Sequence, residues 1–379
     1  MNSAAPTLLR WTRFASNSRG TGAEKRSAQI RALCEDAGLG LVDMQPPAAV
    51  PRWRVWVGGL AARLRLGAGA SVDRAGPGLL GYRAAFYRDA LARHQGARVL
   101  LWETTYDSLL PALAGAAGYR VVALPHNLES FVTATAFANP GRQTFLALAD
   151  EVARLAAADA IFTISKEERW LLETQRLGPH YLPFFPDPVL ADDCRQVRTR
   201  RESRARPDGS VAGPLLLLGS AFNPATARGM RRQMEWLLEA GAPGGGITVA
   251  GNQTETVFAD MAGRGVRLLG SVSTEVLQGL LGDCGALLVD TEGGAGAVTR
   301  IPEALLAGVP VIANTNAGRD QFGTSGVHVY DGPTEFQALV RRPLPVPPAP
   351  PRPAAEQERF QQTLRRLAAA NQAHRRPAR

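Results

Sequence analysis

At 379 residues, 45% of them hydrophobic and 20% charged, the chain has a globular composition and room for two or three domains. No apolar run approaches the ~20 residues that span a bilayer. Arg10, Trp11 and Arg13 interrupt the N-terminal apolar stretch, so no signal peptide is expected. Cys34, Cys194 and Cys284 are widely separated and match no disulfide or metal spacing, which suits a reduced, cytoplasmic setting without a metal.

The net charge of +9 is unevenly placed. Residues 195–206 hold six Arg against one Glu, and residues 341–379 hold nine Arg against two Glu. The rest of the chain is therefore slightly acidic, and the basicity belongs to a linker and a tail. Solvated arginines are the first reading. An anionic membrane surface is the other partner such arginines suit, and the localisation would then extend to the inner membrane face. No interleaved aromatics accompany them, so nucleic acid is not expected.

The predicted elements alternate between strand and helix. Leu8–Ala15 reads as a strand, Ser16–Gly22 as a loop, and Ala23–Ala37 as a helix, with Leu39–Met44 the next strand. Trp53 and Trp56 lie in a stretch read as packed helix or strand, with an interfacial membrane patch as the alternative. Tyr82–His94 has helical spacing, followed by a strand at Val99–Trp102, a helix near Leu109–Ala117 and a strand at Arg120–Leu124. Arg142–Ala158 reads as a helix and Ile161–Ile164 as a strand. Ser165 is placed to cap the helix Lys166–Glu173, and His180–Phe184 closes the first half. The polar run Cys194–Gly213 then marks a boundary.

The second half repeats the rhythm. Strands are predicted at Leu215–Gly219, Ile247–Ala250, Val266–Leu269, Ala286–Val289, Val309–Ala313 and Val327–Tyr330, with a helix at Ala227–Ala240. Pro343–Pro353 is a Pro-rich spacer before a terminal helix at Glu356–Asn371. The predicted fold class is therefore α/β, with two Rossmann-like, doubly wound domains that bind ligands at the carboxyl ends of their strands. The domain boundaries predicted are 1–197, a linker at 198–213, a second domain at 214–340, and a spacer with terminal helix at 341–379.

The most informative segment is Leu287–Asn314. A buried strand breaks into the turn Gly293-Gly294-Ala295-Gly296, and a short helix follows with Arg300 and Glu303. Small residues bring backbone N–H groups close to a ligand, and a helix start favours an anion, a phosphate above all. Arg300 supplies a forked donor for phosphate oxygens and Glu303 an acceptor for sugar hydroxyls. A glycine-rich turn that merely packs is the alternative.

The segment GGAGAVTRIPEALLAGVPVIAN resembles the donor-binding segment of the group 1 retaining, nucleotide-sugar-dependent glycosyltransferases, which have the GT-B fold. The resemblance extends to Leu215–Leu238, to Pro125–Ser130 with its His-Asn pair, and to Asp159–Glu168. It implies two domains facing a cleft, with the donor held by the second domain and the acceptor by the first. It implies that the amides of Gly294, Ala295, Gly296 and Ala297, with Thr299 and Gly219, contact the diphosphate, and that Gly20 and Gly22 close over it. Arg300 would offset charge on the leaving nucleotide, Glu303 would bind ribose, and His126 would touch the donor sugar. The donor would be a co-substrate, with no cofactor.

The chain departs from the family pattern twice. The position eight residues before Glu303 is Ala295 rather than an acid, with Glu292 the nearest carboxylate upstream. The family's basic pair after the first strand of the second domain is replaced by Gly219–Phe222, leaving Arg228 and Arg231 as candidates to stand in for it. The implied function is transfer of a sugar from a nucleotide donor to a saccharide or lipid-linked acceptor, with retention, in cell-surface polysaccharide or glycoconjugate synthesis. The alternatives are a nucleotide-sugar epimerase or hydrolase, and a non-catalytic binding subunit. Glu129 reads equally as a cap for loop amides and as a functional acid.

Overall fold

A computed structural model describes residues 6–45, 53, 55–58, 60–61, 77–94, 96–103, 105, 109–131, 148–241 and 245–373. Strands β1 (Thr7–Trp11), β2 (Gly40–Asp43), β3 (Val99–Trp102), β4 (Arg120–Ala123), β5 (Ala160–Thr163) and β6 (His180–Tyr181) form one sheet. Strands β7 (Leu215–Leu218), β8 (Ile247–Ala250), β9 (Val266–Leu268), β10 (Ala286–Val289), β11 (Val311–Asn314) and β12 (Val327–Tyr330) form the other. The orders are β2-β1-β3-β4-β5-β6 and β12-β11-β10-β7-β8-β9. The pairings are parallel, for example Leu9 beside Leu100 and Leu288 beside Leu217. The sequences VLLW and ALLV are buried along their whole length, because helices cover both faces of a parallel sheet.

Those helices are α1 (Gly22–Asp36), α2 (Pro77–Arg93), α3 (Leu109–Ala116), α4 (Leu148–Leu155), α5 (Lys166–Thr174) and α6 (Pro188–Arg204), then α7 (Pro224–Glu239), α8 (Thr274–Asp283), α9 (Arg300–Leu306), α10 (Pro333–Arg341) and α11 (Ala354–Ala373). Their starts are legible in side chains. Thr21 and Glu24 form a reciprocal capping box on α1, and Ser165 caps α5 through the Glu168 amide as expected. The predicted helix over 142–158 begins, among the described residues, at Leu148; its first six residues lie outside them. The two-domain α/β expectation holds, with the strands within a few residues of their predicted places.

The predicted linker begins inside a helix. Helix α6 runs through the position predicted to separate domain from linker, and residues 198–204 are its second half. Its Leu190, Ala191, Cys194 and Val197 pack into the second domain's core with Leu287, Ile301 and Leu305. Arg195, Arg200 and Arg204 are exposed, as expected of solvated arginines, but Arg198 and Arg201 are not. Arg201 is fully buried and donates to the carbonyls of Gly308, Leu281 and Cys284 at 2.8, 2.8 and 2.7 Å. Arg198 bonds the carbonyls of Leu306, Leu305 and Pro347. A helix leaves its last carbonyls unpaired, and these guanidinium forks satisfy those of α8 and α9. A run that reads by composition as a charged linker is therefore mostly helix, and two of its arginines cap neighbouring helices.

The terminal helix also crosses between domains. Phe360, Leu364 and Ala368 of α11 are buried against Leu8, Ile30, Leu33 and Phe162 of the first sheet's core. Gln361 donates to the Leu33 carbonyl at 3.0 Å, and Arg365 to that of Ala37, just past the end of α1. The Pro-rich spacer carries the chain back from the second domain to the first.

Arg201→Ala removes three buried carbonyls' partner at once. We expect it to lower unfolding free energy by about 2–4 kcal/mol in a denaturant titration, and a change below about 0.5 kcal/mol, the range of ordinary surface substitutions, would contradict the capping role.

Candidate active site in the interlobe cleft

In a doubly wound sheet, ligands bind where the strand order reverses, beyond the carboxyl ends of the strands. In the second sheet that point lies between β7 and β10. The segments that leave it are Gly219–Phe222 and Asp290–Thr299. In the first sheet it lies between β1 and β3, and the segments are Thr12–Thr21 and Glu103.

The β10 turn is built to show its amides. Gly293, Gly294 and Gly296 have φ of 67°, 95° and 75°, a left-handed region that residues with a side chain rarely adopt. Its carbonyls are held from behind. Asn316 donates to the Gly293 carbonyl at 2.8 Å, Arg319 to that of Gly296 at 2.6 Å, and Asn127, in the amide orientation that satisfies both its groups, to that of Ala295 at 3.0 Å. Among the described residues, the amides of Gly294, Ala295 and Ala297 meet no acceptor in the protein. Fixed carbonyls with open amides make an anion-binding concavity without any reorganisation.

Gly296 departs from its implied role. Its amide donates to Glu168 Oε1 at 2.8 Å, across the cleft, and a Cβ there would lie 2.6 Å from the His126 carbonyl. It is one of the points where the lobes touch, so its N–H is not open to a phosphate. Gly22 also meets the second lobe: a Cβ on it would come within 2.9 Å of Thr299 Oγ1. Thr299 precedes α9 without capping it through its side chain. Gly20 is explained within its own lobe, since a Cβ would strike the Glu24 carboxylate of the capping box.

Arg300 is half-buried, and its guanidinium bonds the Leu218 carbonyl at the end of β7. A Cβ on Gly219 would sit 2.5 Å from that guanidinium, so the glycine makes room for it. Burial lowers the Arg300 pKa from its ordinary value, only partly offset by Glu303. Glu303 Oε2 accepts from Lys25 Nζ of α1 at 2.5 Å, and its Oε1 is buried without a partner. A buried oxygen left open is an acceptor in want of a donor.

On the first lobe, His126 stacks on Phe14 with centroids 5.1 Å apart. Its Nε2 lies 3.4 Å from Glu103 Oε2, near enough for attraction but not aligned as a hydrogen bond. Glu103 is fully buried and also meets Arg10 at 3.2 Å and the Ser27 hydroxyl. Burial would lift its carboxyl, but His126, Arg10 and Ser27 together hold it down at about 2. Arg10 in turn forks onto Asp43 at 2.6 and 3.0 Å.

Lys25, Glu103 and Glu168 were not predicted. Lys25 is one of two lysines in the chain, the only sequence signal it gave. Glu103 follows a fully apolar strand, the usual place for a functional group in a parallel sheet. Glu129 does not cap the loop: Glu151 accepts from the Glu129 and Ser130 amides at 2.9 Å each. The candidates to replace the missing basic pair are engaged elsewhere. Arg228 and Arg232 hold Glu292, and Arg231 holds Asp260. A cavity lined by Arg206, Ser210, Gly245, Arg341 and Arg342 lies at the amino ends of the second sheet, away from this chemistry. Among the described residues, no cluster with metal-ligating composition occurs, and no helix is long and apolar enough to cross a membrane.

The fold matches solved structures over nearly its full length. Sucrose-phosphate synthase from Thermosynechococcus elongatus is 15% identical, covers 96% of this chain and 94% of its own, and has a TM-score of 0.60. Trehalose 6-phosphate synthase from Burkholderia multivorans is 13% identical, with full coverage of both chains and a TM-score of 0.57. Anabaena HepE in complex with UDP is 12% identical over 95% of this chain and 100% of its own, at 0.56. No family profile matches the chain, and no curated protein matches it by sequence. At these identities the likeness establishes the fold: two Rossmann-like domains in the GT-B arrangement, as the resemblance implied.

Three carboxyls bind protons more tightly when folded, and two of them, Glu168 and Asp320, bond across the seam. Burial raises Glu129 to about 8, with help from Glu151 and Glu168. Burial raises Glu168 to about 7, against the Leu128 and Gly296 amide bonds. Burial raises Asp320, which accepts from the Lys166 amide at 2.9 Å across the lobes, to about 6. The folded state thus holds more protons than the unfolded state above the ordinary carboxylate range, so stability falls as pH rises through these values. We expect the melting temperature to decline between about pH 5 and pH 8 and Glu129→Gln to flatten that decline; an unaltered slope in the variant would contradict the assignment.

Proposed function

We propose that the protein is a nucleotide-sugar-dependent glycosyltransferase of the GT-B type. The observation that carries this reading is the β10 turn, whose carbonyls are bonded and whose Gly294, Ala295 and Ala297 amides meet no acceptor among the described residues. A diphosphate on those amides would have Arg300 and Thr299 beside it, and the open Oε1 of Glu303 would accept from ribose hydroxyls. Lys25 adds a cation from the opposite lobe. Glycosyl transfer requires negative charge to be stabilised on the departing nucleoside diphosphate, and preorganised amides with a guanidinium supply that. His126, beside Glu103, would border the donor sugar. The donor is a co-substrate, and the reading calls on no cofactor or metal.

The relatives in structure include a protein solved with UDP and synthases that join sugars, which supports a uridine nucleotide as the first donor to test. We infer a saccharide or lipid-linked acceptor docked on the first lobe, retention of anomeric configuration, and a place in cell-surface glycan synthesis on the cytoplasmic side of a membrane. A second reading, a subunit that binds nucleotide without turnover, draws on Ala295 standing where related chains carry an acid and on the engagement of Arg228 and Arg231.

UDP at 100 times its dissociation constant should stabilise the fold by about 2.7 kcal/mol, read as a rise in melting temperature; no rise with UDP, GDP or their sugars would defeat the proposal. Arg300→Ala should cost transfer activity on the order of 10²–10³. Near-normal turnover would remove its role, and donor consumption without acceptor would indicate an epimerase or hydrolase.

A further inference from the structure

A helical segment within residues 53–61 carries its apolar face outward. Trp53, Trp56, Val57 and Leu60 are 63%, 65%, 61% and 64% exposed. Their spacing of three, four and seven residues puts them on one stripe of a helix. The opposite side holds the small residue: Gly58 is buried, and a Cβ on it would lie 3.3 Å from the Gly81 carbonyl and 3.9 Å from Ala84 Cβ of α2. The segment is thus seated on the first lobe through a glycine, while two tryptophans, a valine and a leucine face solvent. Other exposed large hydrophobics, such as Trp170 and Phe322, occur singly in sequence.

Exposure on this scale, in one contiguous stripe, marks an interaction surface. We propose that it is the face by which the protein rests on an anionic lipid bilayer. Charge chooses the occupant. Residues 51–66 include Arg52, Arg54, Arg63 and Arg65 and no acid. Arginines beside a tryptophan-rich stripe are the composition of a helix lying in the bilayer interface, where indoles sit at headgroup level. A second copy of the chain is a poor occupant, because a twofold contact would set this positive segment against itself. Exposed arginines occur elsewhere, as at Arg195 and Arg204 of α6, but there each is paired with an acid, Asp192 and Asp283.

The position serves the proposed reaction, and the inference rests on that reading only for its purpose. The segment follows the carboxyl end of β2, whose Asp43 holds Arg10 beside the Glu103–His126 pair. A bilayer against it would hold the first lobe at the surface that carries a lipid-linked acceptor. Depth is limited to the interface, since the stripe spans about two turns of helix, roughly 11 Å.

The test is co-sedimentation of the full chain with vesicles of phosphatidylcholine alone and with about 30 mol% phosphatidylglycerol. Wild type should partition onto the anionic vesicles, release as salt is raised, and bind neutral vesicles far less. Trp53→Ser with Trp56→Ser should weaken partitioning by on the order of tenfold, while the melting temperature and its response to UDP stay unchanged, which shows that the variant folds. Equal partitioning of variant and wild type, or equal binding to both vesicle types, would overturn the proposal. So would a wild-type dimer that the double variant turns into a monomer, because the stripe would then join two copies. A protein that sediments with vesicles but ignores nucleotides would sink the proposed activity and leave this surface standing.

Discussion

The hydrogen bond from the Gly296 amide to Glu168 is where the two lobes become one site. It requires a left-handed backbone, no side chain and a carboxyl group from α5 of the other lobe. Around it Asn127 reaches Ala295, Lys25 reaches Glu303, and Asp320 takes the Lys166 amide. Each bond joins segments that leave the carboxyl ends of parallel strands. The cleft is therefore a consequence of strand direction: two parallel sheets set with those ends opposed place every loop that can bear chemistry in one gap.

Within the gap, the division of labour follows from what each lobe can offer. The β10 turn offers amides, since glycine permits the conformation and Asn316, Arg319 and Asn127 occupy its carbonyls. The first lobe offers a buried charge chain, from Asp43 through Arg10 to Glu103 and His126. A carboxylate that remains ionised while fully buried needs such partners, and it fixes the histidine's electrostatic surroundings in return. The ion pair of Lys25 with Glu303 links the two halves, and a ribose bound to Glu303 would have to share that carboxylate.

The alternation of strands and helices was legible because buried parallel strands are short apolar runs punctuated by glycine and proline. Leu215–Leu218 and Ala286–Val289 left no other reading. The turn with Arg300 and Glu303 was legible through its glycines. The helix Pro188–Arg204 was not. Six arginines between 195 and 206 disguised the buried spacing of Leu190, Cys194 and Val197, and nothing local announces that Arg201 will meet carbonyls 80 or more residues away. Glu168 and Lys25 were missed for the same reason: each is an ordinary helix residue until the opposite lobe arrives. The outward stripe of Trp53 and Trp56 was visible as composition, but sequence alone could not say which face is buried.

The central claim is that the β10 turn grips a diphosphate through its open amides. Amide hydrogen exchange at residues 294–297, with and without a saturating nucleoside diphosphate, tests it most directly. Protection of the Gly294, Ala295 and Ala297 amides should rise by about tenfold or more, while Gly296, already bonded to Glu168, should change less. Unchanged exchange in the turn, with protection appearing instead around Arg206 and Arg341, would contradict it.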